Sequence, residues 1–120
     1  DLAGVETRPT GLCVLKGLIA ETFLVYSNEE LVSRAVDIKP KIVAIDAPLS
    51  LPAGRKSIEQ RTKVHLRECD KELLERGIKF FPITLGPMRK LTASGIALRR
   101  TFESKRSKVI EVYQAARKTF

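Results

Sequence analysis

Two acidic residues occupy positions at which a carboxylate can do chemistry, and the first is Asp46. It follows four consecutive apolar residues, 42–45, and Pro48 and Pro52 take the chain out of any sheet soon after it. We therefore predict a strand, buried on both faces, that delivers Asp46 to the carboxyl edge of an α/β sheet, where ligands bind. A turn-capping role for Asp46 is the competing interpretation, and these residues leave both open.

The second acidic residue is Glu111, which lies in the middle of the run KVIEVY at 108–113. This run predicts a strand. If Ile110 and Val112 face one layer of helices, Glu111 points the other way into a partly buried environment and needs a counter-charge. An edge strand with a solvated glutamate is the alternative, and the pattern favours it.

Arg67 and Asp70 form a possible ion pair on a predicted helix that runs to about Gly77. Asp70 falls inside the apolar stripe of that helix, where an ionised carboxylate needs a partner. Arg67 lies three residues earlier on the same side, so a local ion pair is the preferred interpretation. The stripe itself consists of Leu66, Cys69, Leu73 and Leu74.

A basic helix is predicted to begin near Pro87, after Gly86. A helix amino terminus beside an arginine such as Arg89 is a competent phosphate site, although a solvated charged face is the usual meaning of such a run. The shortage of acids between Pro82 and Arg106 favours an anion. The basic residues on the exposed side are Arg89, Lys90, Arg99, Arg100, Lys105 and Arg106.

The elements that position these residues are predicted from local signals. Alternation after the RPTG turn at 8–11 predicts two antiparallel strands, and a capping box from Ser27 to Glu30 starts a helix that ends before Pro40. The strand after this helix is expected to run parallel to an earlier strand. Residues 53–61 are predicted to form a loop, ending in a second capping box from Ser57 to Gln60 that opens the helix carrying Arg67.

Three remaining side chains are predicted to have no chemical role. Cys13 and Cys69 lack any metal-ligand spacing and lie in apolar patterns, so we expect both to be reduced and buried. His65 is expected on the exposed face of its helix.

The bulk composition is that of one globular domain. The chain has 120 residues, 43% hydrophobic and 30% charged, with a formal net charge of +8, which makes a polyanion such as nucleic acid a plausible partner. No apolar run is long enough to cross a membrane and no signal-peptide pattern is present, so a cytoplasmic location is expected. The sequence opens on Asp1 and ends in KTF, from which we expect a single domain, 1–120, truncated at one or both ends.

Five motifs in order give the chain a family resemblance. They are DLAGVETRPTG, IVAIDAPLSLP, RECDKELLERGIKFFP, TLGPMRKLT and VIEVY. Together they resemble the domain of unknown function 429 family, described as predicted nucleases with an RNase H-like fold. The resemblance implies an α/β fold with a mixed five-stranded sheet, three antiparallel strands then parallel strands, and helices on both faces.

The resemblance also implies a set of functional residues. Asp1 matches an acid on the first strand and Asp46 an acid on the strand after the first helix, while Glu111 is the best candidate for a third. These three would be catalytic and would bind Mg²⁺ or Mn²⁺ for phosphodiester hydrolysis. The residues that would neutralise or orient phosphates are Arg8, Arg67 and Arg89, with Asp70 holding Arg67 in place.

Three functions follow as hypotheses. A metal-dependent nuclease is the first, and a nucleic-acid-binding module that lacks catalysis is the second. Nucleotide phosphate chemistry is the third, because DLAG weakly resembles the phosphate loop of actin-like ATPases. Those enzymes bind nucleotide between two such domains, whereas a chain of this length holds one.

Overall fold

The computed structural model describes residues 2–4 and 7–113 of the chain. They contain four strands and three helices. In order they are β1 (Thr10–Lys16), β2 (Ile19–Val25), α1 (Asn28–Ile38), β3 (Ile42–Ile45), α2 (Glu68–Glu75), α3 (Met88–Ser104) and β4 (Lys108–Glu111).

Strands β1 and β2 form an antiparallel hairpin, as the alternating pattern predicts. The register pairs Lys16 with Ile19 at the turn and Thr10 with Val25 at the open end. Gly17 takes a positive φ of 59° in the two-residue turn, a conformation that glycine adopts without the steric cost of a side chain.

Helix α1 begins at the predicted cap. The Ser27 hydroxyl accepts a hydrogen bond from the Glu30 backbone N–H at 3.1 Å, and the Glu30 carboxylate accepts one from the Tyr26 N–H at 3.1 Å. This reciprocal arrangement satisfies the Glu30 N–H, which has no partner within the helix, and the Tyr26 N–H of the segment that leads into it. The helix buries Leu31 and Ala35 and ends where Lys39 turns left-handed, directly before Pro40.

Strand β3 pairs in parallel with β4, and the predicted five-stranded mixed sheet is wrong for the described residues. The four strands instead form two separate two-stranded sheets, β1 with β2 and β3 with β4. The predicted parallel pairing of β3 with an earlier strand is also wrong, since its partner is the later β4. The expected first strand, at Asp1, lies outside the described residues.

A cavity of about 610 Å³ separates the two sheets, and we call it the central trough. One wall is β1 and the other is β3. The hairpin packs on α1, the sheet of β3 and β4 packs on α3, and the two helices pack on each other, so helix packing and not a continuous hydrogen-bonded ladder holds the sheets in one fold. The predicted burial of β3 on both faces is wrong, because Ile42 and Ala44 are exposed and only Ile45 is buried in this strand. The lining residues are Leu2, Thr10, Gly11, Leu12, Cys13, Thr22, Phe23, Leu24, Leu31, Ala35, Val43, Ala44, Ile45, Asp46, Leu98, Phe102 and Val112.

Helix α2 is shorter than predicted. It begins at Glu68 with Arg67 as its N-cap residue, and the Ser57 to Gln60 signal forms a local turn in which Ser57 accepts from the Gln60 N–H. The predicted end is confirmed. Gly77 has a φ of 71° and the Ile78 N–H donates to the Leu73 carbonyl at 2.9 Å, which closes the helix.

Helix α3 packs directly on the backbone that follows β3. Gly95 makes this possible, since a Cβ at that position would lie 2.5 Å from the Pro48 carbonyl oxygen. The helix is unbroken through Gly95, and its buried residues Leu98 and Phe102 join the main core. Within the part of the chain that the structure describes, no helix has the length and apolar character needed to span a membrane.

Candidate functional site

Arg67 is the centre of the most connected polar cluster in the described residues. Its guanidinium donates two hydrogen bonds to the Asp70 carboxylate, from Nε to Oδ2 at 3.1 Å and from Nη2 to Oδ1 at 3.0 Å. It donates two further hydrogen bonds to the Glu111 carboxylate, from Nη1 to Oε1 at 2.6 Å and from Nη2 to Oε2 at 2.9 Å. The second Nη1 donor reaches the Ser50 hydroxyl at 3.3 Å. All five N–H donors of the guanidinium are therefore directed at protein acceptors.

Three separate segments meet in this cluster. Arg67 and Asp70 belong to the start of α2, where the Arg67 backbone N–H also donates to Asp70 Oδ2 at 2.9 Å. Glu111 is the last residue of β4, and its Oε1 accepts a further bond from the Leu49 N–H at 2.7 Å. Leu49 and Ser50 lie on the segment that leaves β3. The cluster thus fastens α2 and the exit of β3 to the end of β4.

The cluster is largely shielded from solvent, so its charges depend on one another for compensation. Arg67 is 8% exposed and Asp70 is 1% exposed, while the Glu111 side chain is 30% exposed. Burial by itself lowers the pKa of the Arg67 guanidinium, but its hydrogen bonds to Glu111 and Asp70 outweigh that effect and raise the pKa above its usual range. Arg67 is therefore permanently charged, and each carboxylate has a charged partner.

The predicted local ion pair of Arg67 with Asp70 is confirmed. For Glu111 the structure combines parts of the two alternatives. Among the described strands β4 pairs with β3 alone, so the edge position that the pattern favoured is present, but Glu111 is not merely solvated, because Arg67 supplies its counter-charge. The proposed phosphate-binding role of Arg67 stays a prediction, and in this geometry each of its donors already has an acceptor.

Asp46 lies apart from this cluster. It comes directly after β3 and lines the central trough, and no hydrogen bond or ion pair joins its side chain to another described residue. Glu111 lines a different cavity of about 400 Å³ beside Arg67. Ile45 is the register partner of Glu111, and Asp46 is the next residue along the chain. Because successive residues of a strand face opposite sides of the sheet, this register places Asp46 and Glu111 on opposite sides.

The predicted metal site involves Asp1, Asp46 and Glu111, and Asp1 lies outside the described residues. Among the residues that the structure does describe, no group of three or more His, Cys, Asp or Glu side chains is placed to hold a metal ion. Glu111 Oε1 already accepts two hydrogen bonds, from Arg67 and Leu49. These described residues do not by themselves form a site for Mg²⁺ or Mn²⁺, and such a site stays a prediction.

Arg8 and Arg89 are placed in different surroundings. Arg8 lines a cavity of about 1080 Å³, which we call the basic basin. Arg89 lies outside that lining, and its guanidinium donates to the Ile58 carbonyl at 3.4 Å. The basin is lined by Ala3, Gly4, Thr7, Arg8, Thr10, Tyr26, Ser27, Asn28, Glu29, Lys90 and Ser94.

The predicted loop at 53–61 is confirmed. Hydrogen bonds from the Arg55 side chain hold its backbone in place. Its Nη2 donates to the Ile58 carbonyl at 2.9 Å and its Nη1 to the Val64 carbonyl at 3.0 Å. Ile58 itself is buried at 8% exposure. Sequence reasoning missed this anchor, since a lone arginine in a loop carries no local signal of its partner.

His65 and the cysteines differ from their predictions. His65 precedes α2 and is half-buried, with its Nδ1 2.7 Å from the Thr84 hydroxyl, so the exposed helical position is wrong. Cys13 and Cys69 are free but exposed, and their predicted burial is wrong. In α2 the buried residue is Asp70, and the adjacent Cys69 lies on the exposed side of the helix.

Comparisons with protein families, with curated proteins and with solved structures find no match to this chain. The resemblance to the domain of unknown function 429 family therefore stays a prediction.

Proposed function

We propose that this chain binds nucleic acid through the basic basin. The observation that carries the proposal is the lining of that basin, in which Arg8 and Lys90 flank a polar cavity of about 1080 Å³. A net charge of +8 supplies the long-range attraction that a polyanion needs. The basin is large enough for phosphate groups with their attached sugars, and arginine and lysine are the side chains that contact phosphate most often.

Residues near the starts of two helices line the basin. Asn28 opens α1, and Lys90 and Ser94 lie on the first two turns of α3. The Asn28 side-chain amide donates to the Ser94 hydroxyl at 3.2 Å, which fixes these two helix starts beside each other. Helix amino termini favour anions, and the first turn of α3 contains no acidic residue. Among the described lining residues Glu29 is the one acidic side chain, and with Glu30 it makes the first turn of α1 acidic.

The test is salt-dependent binding of a fluorescent single-stranded oligonucleotide. Each phosphate contact contributes about 0.7 to the slope of log affinity against log salt for single strands. Replacing Arg8 and Lys90 together by alanine is therefore expected to make the slope shallower by about 1.4 and to weaken binding at low salt.

The matched control removes the same charge elsewhere. Lys16 and Lys63 are exposed and lie outside the basin lining, so their double alanine variant should keep most of the slope. An equal loss of slope in both double variants would reject the basin as the binding surface. Absence of salt dependence in the unmodified chain would reject nucleic-acid binding altogether.

Metal-dependent phosphodiester hydrolysis is the second candidate function. The observation that favours it is Asp46, a half-buried carboxylate at the end of β3 without a partner among the described residues. Hydrolysis through metal ions needs further ligands, for which the family resemblance supplies Asp1.

Cleavage of the labelled oligonucleotide in Mn²⁺ or Mg²⁺ separates the two candidates. Loss of cleavage in Asp46→Asn, with oligonucleotide affinity retained, is expected if the chain is a nuclease. Cleavage by Asp46→Asn at the same rate as the unmodified chain would eliminate that mechanism. Binding without cleavage in either protein would leave the binding module as the function.

A further inference from the structure

The hairpin of β1 and β2 has an exposed side, which we call the outer hairpin face. Alternate residues of a strand face opposite sides of a sheet, so the register divides the hairpin into two sets. One set faces α1, since it includes Phe23, whose ring centre lies 5.2 Å from the guanidinium carbon of Arg34 in that helix. The other set forms the outer hairpin face. It consists of Cys13, Leu15, Ala20, Thr22 and Leu24, with Leu18 at the tip.

The charges of the hairpin lie on the opposite side from the one expected of a solvated sheet. An antiparallel sheet with one wet face normally presents polar side chains to water and apolar side chains to the core. The two charged residues of these strands, Lys16 and Glu21, belong instead to the set that faces α1. The outer hairpin face has no charged residue, although 30% of the chain is charged. Its pattern is typical of a face that another apolar surface covers.

The leucines of this face are nevertheless exposed. Leu15 is 69% exposed, Leu24 57% and Leu18 fully, at 103%. An unfolded chain exposes about 1.45 Å² per dalton, or about 160 Å² for a leucine residue, so these three residues expose about 370 Å². Apolar patches of this size on a folded chain mark interaction sites.

The area of the face fits an interface between two chains. A standard interface buries about 800 Å² on each partner, and about 60% of it is apolar, so each partner supplies about 480 Å² of apolar surface. The three leucines supply most of this area. Cys13, Ala20 and Thr22 are exposed on the same face and supply the remainder.

The chain as a whole also exposes more surface than a monomer of its mass. Its accessible surface is 8792 Å², whereas a folded monomer of 13.4 kDa exposes about 6500 Å². Granting about 160 Å² to each of the ten residues outside the described ranges, and removing their mass from the comparison, leaves an excess of about 1100 Å². This excess is larger than the area that one partner buries in a standard interface.

We propose that the outer hairpin face is the interface of a symmetric homodimer, in which the hairpins of two copies pack face to face. In a two-fold interface the same patch meets itself, and an uncharged apolar face is complementary to its own copy. An unlike partner is selected largely through charges that oppose those of the face, and this face has none. None of its residues lines the basic basin, so both basins of a dimer stay outside the interface.

The net charge of the chain determines how salt affects this dimer. Two chains of net charge +8 repel each other, and salt screens that repulsion. The dimer is therefore expected to become tighter between about 0.05 M and about 0.5 M sodium chloride. Nucleic-acid binding weakens over the same range, so the two associations have opposite salt dependence.

Analytical ultracentrifugation of the full chain measures the association. We expect the mass to rise with concentration from 13.4 kDa toward twice that value. Leu15→Glu should weaken the dimer at least about tenfold, because the interface would bury a charge without a partner. This variant also lowers the net charge, which by itself favours association. Leu74→Glu is the matched control, since it makes the same change at a 53% exposed position of α2 and should leave the dimer intact.

Cys13 reports on the geometry of the interface. It is paired with Thr22 in the middle row of the face, so a two-fold axis through that row brings the Cys13 residues of two copies close together. Packed sheets lie about 10 Å apart, within reach of a short bismaleimide reagent. The chain has two cysteines, so Cys69→Ser leaves Cys13 alone and should be linked into covalent dimers. Cys13→Ser should not be linked.

Hydrogen exchange provides an independent readout. The hairpin amides should exchange more slowly as the concentration of the chain rises, whereas those of β3 should not change. At concentrations below the dissociation constant, the hairpin remains the less protected sheet.

Three results would overturn the proposal. The first is a mass that stays at 13.4 kDa at every concentration and salt. Slow reaction of Cys13 with a soluble maleimide in such a monomer would identify a segment of the same chain as the cover. The second is equal weakening of the dimer by Leu15→Glu and Leu74→Glu. The third is tighter association at low salt, which would indicate an interface of ion pairs elsewhere on the chain.

Discussion

A single arginine joins three segments of this molecule through two carboxylates. Arg67 and Asp70 are nearly inaccessible to solvent, and Glu111 holds the opposite side of the same guanidinium. Removing one member of a buried ion pair is far more costly than the net contribution of the pair, because the remaining charge stays buried without its partner. The cluster therefore acts as a structural junction in which each member depends on the others.

Arg67→Ala is expected to destabilise the chain by about 3–5 kcal/mol, since it leaves Asp70 as a buried, unpaired carboxylate. Arg67→Lys should be less destabilised than Arg67→Ala but still less stable than the unmodified chain, because one ammonium group cannot form bidentate hydrogen bonds with two carboxylates. Urea unfolding measures both changes. Arg76→Ala, which removes an exposed pair with Glu72, should cost less than about 1 kcal/mol. Similar losses of unfolding free energy in Arg67→Ala and Arg76→Ala would contradict the role of Arg67 as a structural junction.

Thr92→Val tests a second buried polar contact. The Thr92 hydroxyl is fully buried and donates to the Ile83 carbonyl at 2.9 Å. Valine has nearly the same shape but no donor, so we expect a loss of about 1–3 kcal/mol from the unsatisfied carbonyl. Thr101→Val is the control, because its hydroxyl bonds an exposed carbonyl of its own helix. Denaturation midpoints of the two variants should differ clearly; equal midpoints would mean that the Ile83 carbonyl finds another donor.

At the scale of elements, the contact between α3 and the segment after β3 sets the distance between a helix and the sheet edge. Gly95 brings the helix axis against Pro48, and Leu49 then reaches the Glu111 carboxylate through its N–H. The close approach of α3 to Pro48 is therefore next to the cluster formed by Arg67, Asp70 and Glu111. Any side chain at position 95 would push the two segments apart.

Gly95→Ala is therefore expected to destabilise the chain although alanine favours helix. Its Cβ would meet the Pro48 oxygen at 2.5 Å, and overpacking of this kind costs about 1–3 kcal/mol. The helix propensity gain of about 1 kcal/mol offsets only part of that cost. Ala97→Gly measures the propensity term alone on the exposed side of α3. Stabilisation by Gly95→Ala in a urea titration would show that the helix can move away from Pro48.

At the scale of the whole molecule, the two sheets differ in how well they are supported. The hairpin of β1 and β2 packs on α1, and its tip exposes Leu15, Leu18 and Ile19. A two-stranded hairpin is only marginally stable by itself. The sheet of β3 and β4 is fastened by α3 and by the Arg67 junction, so it should open less often.

Hydrogen exchange under native conditions should show this difference. Amides of the hairpin between Leu12 and Leu24 are expected to exchange faster than those of β3 and of the buried side of α3. Mass spectrometry of peptic fragments provides the measurement. Uniform protection across both sheets would indicate that the chain opens as one cooperative unit.

The sequence alone determined the features whose causes lie within a few residues. The Ser27 cap, the hairpin alternation, the left-handed Gly77 and the ion pair of Arg67 with Asp70 all depend on neighbours along the chain, and the structure contains each of them. The tertiary structure decided which strands pair and which cation neutralises Glu111. Arg67 and Glu111 are 44 residues apart, and the start of α2 depends on the same cluster. Such long-range pairings depend on the packing of the whole chain, because backbone hydrogen bonds and charges do not encode their distant partners in local spacing.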